Sequence, residues 1–158
     1  MNISNLFDLS GKVSIVTGGG YGLGKIMATA LGEAGSDVAI CSRKVEACEA
    51  TAHEIGKLGA RALALQCDIN CDEDVDRVVG ETVKEFQKID ILVNNSGLGW
   101  GAPPEEFKME DWQKVIDLNI TGTFRFTQKV GREMIKEQSG KIINISSYAG
   151  LRGADPDY

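Results

Sequence analysis

The 158-residue chain contains one histidine, three prolines and no CxxC pair among its four cysteines, Cys41, Cys48, Cys67 and Cys71. Zinc sites draw closely spaced Cys and His pairs from two segments. With His53 alone inside a predicted helix and the thiols scattered, no metal site is expected. The thiols read as free groups in a reducing compartment. No apolar run is long enough to span a bilayer. The first twelve residues lack the charged and apolar regions of a signal peptide, so a cytoplasmic location is the expectation. Basic excess is missing too. The net charge of -6 disfavours nucleic acid and anionic membranes as partners.

What is present is the balance of a soluble globular domain, 42% hydrophobic and 25% charged. No repeat, low-complexity tract or linker divides it, so residues 1–158 read as one domain. Short β-rich runs alternate with amphipathic helical stretches. The runs at 12–17, 37–42, 61–66, 89–94 and 141–146 are apolar on both faces, as parallel strands covered on both sides are. Helices are expected at 23–34, 45–58, 73–86 and 111–138. In the second, Val45, Cys48, Ala52 and Ile55 share one stripe; in the third, Val75, Val79, Thr82 and Phe86 do. Gly35 and Gly59 follow helices where a left-handed residue stops the turn. Asn70 with Glu73 reads as a capping pair. Strands alternating with helices imply right-handed crossovers, a parallel sheet and the α/β class.

The segment Thr17-Gly-Gly-Gly-Tyr-Gly-Leu-Gly24 falls between the first strand and the first helix. Glycines there let the backbone turn tightly and approach a pyrophosphate at the helix N-terminus. Gly20, Gly22 and Gly24 match the dinucleotide spacing GxGxxG imperfectly, because the second gap is one residue short; tight packing alone is the rival use of these glycines. Gly19 to Lys25 also reads GxxxxGK, the phosphate loop of nucleoside triphosphatases. Ile26 follows in place of the hydroxyl that would hold magnesium, which argues against that chemistry.

Four further segments occur in order. Cys67-Asp68-Ile69 follows strand three, and Asn94-Asn95-Ser96-Gly97 closes strand four. Asp117-Leu-Asn119-Ile-Thr121 lies in the last helix, and Ile145-Ser146-Ser147 ends strand five. Together with Thr17-Gly18-x-x-x-Gly22-x-Gly24, they resemble the TGxxxGxG turn, the adenine-side Asp, NNAG (here with Ser96 for alanine), the helix Asn and the catalytic Ser of the short-chain dehydrogenase/reductase family. The resemblance covers nearly the whole chain and includes gluconate 5-dehydrogenase-like and 3-oxoacyl reductase-like members. It implies a Rossmann-type doubly wound sheet of strand order 3-2-1-4-5, and hydride transfer between a nicotinamide cofactor and an alcohol or carbonyl.

Residue by residue, the resemblance implies cofactor contacts at Gly18, Gly20, Tyr21, Gly22, Leu23, Gly24, Asp68, Ile69, Asn95, Ser96 and Gly97. Ser147 would hold the substrate oxygen, and Asn119 would anchor a water-linked proton relay. A small-molecule substrate and a homo-oligomeric parent are implied as well. On the residues alone, the rival uses are Asp68 as a helix cap, Asn94 and Asn95 as strand-end partners of backbone, Asn119 as a solvent-facing residue and Ser147 as a turn serine. The family's YxxxK pair is absent. Tyr158 is the last residue and comes early for that motif, so it reads as a loop residue, and the sheet reads as lacking its later strands. The piece is then expected to be inactive by itself. A non-catalytic dinucleotide-binding or interaction module is the alternative.

Strand two ends in Ser42-Arg43-Lys44. An acidic residue there would grip the ribose 2′-hydroxyl of NAD. Two cations suit a 2′-phosphate instead, unless they only start a solvated helix, so NADP is expected over NAD. Trp100, in the loop after strand four, is either a substrate contact or a loop anchor.

Overall fold

A computed structural model describes residues 6–151. Five strands form one sheet: β1 (Val13–Thr17), β2 (Asp37–Ser42), β3 (Ala62–Gln66), β4 (Ile91–Asn94) and β5 (Lys141–Asn144). All pairings are parallel, as the alternating pattern implies, and the order is β3-β2-β1-β4-β5, as the family resemblance implies. Between the strands run α1 (Gly22–Glu33), α2 (Val45–Lys57), α3 (Asp72–Phe86), α4 (Met109–Ile116) and α5 (Thr123–Lys136).

Period-two alternation splits the core into two layers. Val13, Ile15, Ala39, Cys41 and Leu92 face α3 and α5, meeting Val75, Val79, Phe126 and Val130. Val16, Val38, Ile40 and Val93 face the other way, against Ala28 of α1 and Cys48 and Ile55 of α2. Burial on both faces is complete for β1. It fails for β5, whose residues are all exposed at the edge of the sheet. The stripe read on α3 is buried as expected, with Val78 added. On α2 the buried set is Ala47, Cys48, Thr51 and Ile55. Gly35 and Gly59 do take left-handed φ, +96° and +93°.

Three expectations need correction. The single helix over 111–138 is α4 and α5 joined by one wide π-turn, Asp117–Gly122. Apolar periodicity continues across that turn, so the sequence pattern hides it. Asn70 does not cap α3: the N-cap is Cys71, without a side-chain cap bond, and the Asn70 amide donates to Asp68 Oδ1 at 2.9 Å. The reciprocal bond of a capping pair is missing because Asp68 already takes the Asn70 main-chain N–H, while Glu73 Oε2 accepts from the Cys71 thiol at 3.2 Å. Strand five ends at Asn144 rather than 146, although the Ile145 amide still reaches the Asn94 carbonyl at 2.9 Å. Tyr158 lies outside the described residues.

Candidate functional site

Two clefts open at the carboxyl ends of the strands, where ligands of open α/β sheets bind. The first, about 250 Å³, is lined by Gly18, Ser42, Arg43, Cys67, Asp68, Ile69 and Leu118. The second, about 780 Å³, is lined by Leu23, Asn94, Leu98, Asn119, Asn144, Ser146 and Ser147. Asn95, Ser96 and Gly97 line both, so the end of β4 forms a shared wall.

That wall hangs on β1. Thr17, 2% exposed, accepts the amides of Asn95 and Ser96 through one hydroxyl oxygen, each at 3.0 Å. Asn95 donates again through Nδ2, to the Thr17 carbonyl at 3.0 Å and to that of Gly18 at 3.4 Å. Next to it, Asn94 Nδ2 donates to Thr127 Oγ1 at 3.0 Å and Asn144 Oδ1 at 2.9 Å, tying β4 to α5 and β5.

The glycine turn runs from Gly18 to the start of α1. A Cβ on Gly24 would collide with the Gly18 carbonyl and with Asn95 Nδ2, so only glycine lets the helix close on the turn. Gly22 has φ +52° and open space around it. Gly20 packs on Ala47, so it serves packing. Tyr21 is the exposed N-cap of α1 and makes no side-chain cap bond. Of the turn residues, Gly18 lines the first cleft and Leu23 the second; Gly20, Tyr21, Gly22 and Gly24 line neither. Lys25 Nζ pairs with Glu54 at 2.8 Å, so its ammonium is engaged by α2.

At the end of β2, Arg43 is exposed along the first cleft, whereas Lys44 does not line it. The Ser42 hydroxyl donates to the Lys44 carbonyl at 2.8 Å. Asp68 stands in the first cleft with Oδ1 occupied by the Asn70 amide. Its own amide donates to Asp74 Oδ2 at 2.8 Å, and this bond, with that from Arg77, holds the Asp74 carboxyl below its ordinary range.

Asn119 is not solvent-facing. From the π-turn, its Oδ1 accepts the Leu98 amide and its Nδ2 donates to the Leu98 carbonyl, both at 2.8 Å. Such π-turns concentrate where helices carry functional residues; here consecutive residues Leu118 and Asn119 reach the two clefts. Ser147 shares the second cleft with Asn119, and its Oγ accepts the Ala149 amide at 3.2 Å. Trp100 lines neither cleft and holds Lys114 Nζ 5.6 Å from its ring centre, which favours the loop-anchor reading. Among the described residues no cluster of metal-ligating side chains occurs. Nor is any described helix long and apolar enough to cross a membrane.

Sequence reading did not single out Thr17, Asn144 or Arg125 as positioning groups. Only the pairing of Asn94 with Asn144 at two strand ends left a trace in the sequence.

A family model described as short chain dehydrogenase matches residues 12–155. The chain is 40% identical over 146 residues to a 3-oxoacyl-(acyl-carrier-protein) reductase of Synechocystis sp., covering 92% of this chain and 59% of that protein. It is 38% identical over 149 residues to an NAD-dependent glycerol dehydrogenase of Listeria innocua, covering 94% and 58%. A crystal structure of a short-chain type dehydrogenase/reductase from Mycobacterium marinum superposes with TM-score 0.94 at 34% identity, covering 99% of this chain and 64% of that one. A 7α-hydroxysteroid dehydrogenase complexed with NADH and 7-oxo glycochenodeoxycholic acid gives TM-score 0.92 at 34% identity, covering 98% and 60%. The chain spans about three-fifths of the curated relatives it matches.

Proposed function

Because this chain belongs to the short-chain dehydrogenase/reductase family, we propose that the protein interconverts an alcohol and a carbonyl with a nicotinamide dinucleotide, NADP(H) in preference to NAD(H). The observation that carries the reading is the pair of clefts joined along Asn95, Ser96 and Gly97, beside a turn that admits no side chain at Gly24. A dinucleotide needs one pocket for each ring and a bare backbone between them, and these residues fit it.

When bound, the nicotinamide supplies or accepts the hydride. This chain's residues bind and orient. Free main-chain amides at the start of α1 receive the pyrophosphate. Asp68 accepts from the adenine amino group in the first cleft. Arg43 meets the ribose 2′-phosphate by charge-assisted bonds, with Ser42 giving the space an acidic side chain would deny. In the second cleft Ser147 Oγ donates to the substrate oxygen. Asn119 has both ends of its carboxamide committed to Leu98, so its side chain acts by fixing the loop opposite Ser147.

None of the described residues lining the second cleft titrates near neutral pH. In the family the proton is moved by a tyrosine–lysine pair, which the described residues lining this cleft do not supply. On this reading the 158 residues alone bind cofactor without turnover, and the whole enzyme is a homo-oligomer of the cytoplasm. The free thiols support a reducing compartment.

The test is a fluorescence titration of the protein made from its complete reading frame. NADPH should bind more tightly than NADH, and Arg43→Asp should erase or reverse that order. Equal affinities before and after the substitution overturn the NADP preference. Failure of the unsubstituted protein to bind either dinucleotide overturns the whole reading.

A further inference from the structure

The wall of the first cleft does not hold itself in place. Between β3 and α3 the chain turns through Cys67, Asp68, Ile69 and Asn70, and helices bind its main-chain polar groups. Asp74 takes the Asp68 amide, and Arg77 Nη2 donates to the Gln66 carbonyl at 2.9 Å. The third bond comes from far along the chain. Arg125, on α5, donates through Nη1 to the Ile69 carbonyl at 2.8 Å and through Nε to Asp72 Oδ1 at 3.0 Å. Ile69 also lies against Gly122, where an added Cβ would stand 2.7 Å from its Cγ1. The helical run from the π-turn to α5 therefore grips one wall residue by both its carbonyl and its side chain.

We propose that Arg125 is a positioning residue for adenine recognition, acting through the Ile69 carbonyl to fix the Asp68–Ile69 wall. The proposal rests on the dinucleotide reading above. Two observations separate it from a stabilising ion pair. Asp72 is 58% exposed, and pairs at such sites stabilise little. The Arg125 side chain is only 22% exposed, and its bond to Ile69 is charge-assisted. A planar guanidinium serves carbonyl and carboxylate at once, which a single ammonium does not reproduce in the same geometry. The Ile69 bond acts on the first cleft; neither Arg125 nor Ile69 lines the second.

The experiment measures calorimetric binding of two probes to the protein from its complete reading frame: adenosine 2′,5′-bisphosphate and nicotinamide mononucleotide. Arg125→Met should weaken the adenosine probe about tenfold, the scale of one charge-assisted hydrogen bond, and leave the mononucleotide unchanged. Arg125→Lys should restore part of the loss. Asp72→Asn, which keeps the Ile69 bond, should bind both probes as the unsubstituted protein does. Should Arg125→Met fail to fold, a selective partial loss in Arg125→Lys supports the inference in its place. Equal loss of both probes, no loss in either Arg125 variant, or a matching loss in Asp72→Asn overturns the inference alone. An unsubstituted protein that binds neither probe overturns the dinucleotide reading, and this inference with it.

Discussion

Thr17 and Asn95, 78 positions apart, are joined by two hydrogen bonds that both run from the asparagine: its main-chain amide donates to the threonine hydroxyl and its side-chain amide to the threonine carbonyl, each at 3.0 Å. The ends of β1 and β4 are thereby locked at the place where the two clefts share a wall.

Replacing Thr17 by valine keeps the volume and removes the acceptor for the Asn95 and Ser96 amides. Leaving partly buried donors unmatched costs about 1–3 kcal/mol each when they cannot reach water. Thr17→Val should therefore lower the urea midpoint and weaken dinucleotide binding, while Thr17→Ser should retain both. A valine variant with unchanged midpoint and affinity would show that the lock is dispensable.

Two glycines of one turn should fail in different ways. Gly24→Ala places a methyl against the Gly18 carbonyl, so α1 cannot close and soluble folded protein should be lost. A Cβ at Gly22 meets no atom within 4 Å, but the valine of Gly22→Val must hold φ +52°, a strain of roughly 1–3 kcal/mol for a non-glycine residue. Its fold should survive with cofactor binding severely weakened, because the branched side chain stands at the phosphate approach. Circular dichroism beside a binding titration separates the outcomes. Normal binding by Gly22→Val would remove the turn from the phosphate site.

Asp90 gives the fold an acid limit. Burial pushes its carboxyl up, but bonds from Lys88, Lys12 and the Val13 amide outweigh that and hold it below its ordinary value. A lowered folded pKa stabilises above the unfolded value of about 3.9 and is lost as pH falls through the folded value. The two lysines are well exposed and add little; the amide bond to a side chain only 12% exposed contributes most. Asp90→Asn keeps an oxygen for the Val13 amide and loses the charge assistance, so it should cost about 1 kcal/mol at neutral pH, with the gap narrowing below about pH 4. Urea melts at several pH values check this, and a gap that stays constant into acid would refute it.

The parallel sheet was legible because β1 and β2 are apolar on both faces and strands alternate with helices, whereas the strand order came from the family resemblance and not from the pattern. The clefts were legible in outline, since Asp68, Asn95 and Ser147 all follow strand ends. What was hidden is non-local. Asn119 reads as a polar intruder in a helix until Leu98 is seen to take both ends of its amide. The π-turn leaves no mark, because an i→i+5 bond changes the backbone ring and not the side-chain pattern. Arg125 looks like part of a solvated face, and its partner at Ile69 is 56 positions away. Sequence adjacency likewise does not tell Arg43, which lines the first cleft, from Lys44, which does not.

The thiols of Cys41 and Cys67 meet in the core, directly under the first cleft, which Cys67 helps to line. Their mutual hydrogen bond and then burial hold the Cys41 thiol well above its ordinary pKa, and burial raises Cys48. Thiols so placed are unreactive until the surrounding sheet opens. They form an internal clock: under native conditions, the rate at which an alkylating reagent labels them counts openings of the β2–β3 half of the sheet. A ligand seated in the first cleft would slow that clock, giving an occupancy readout that needs neither turnover nor a chromophore.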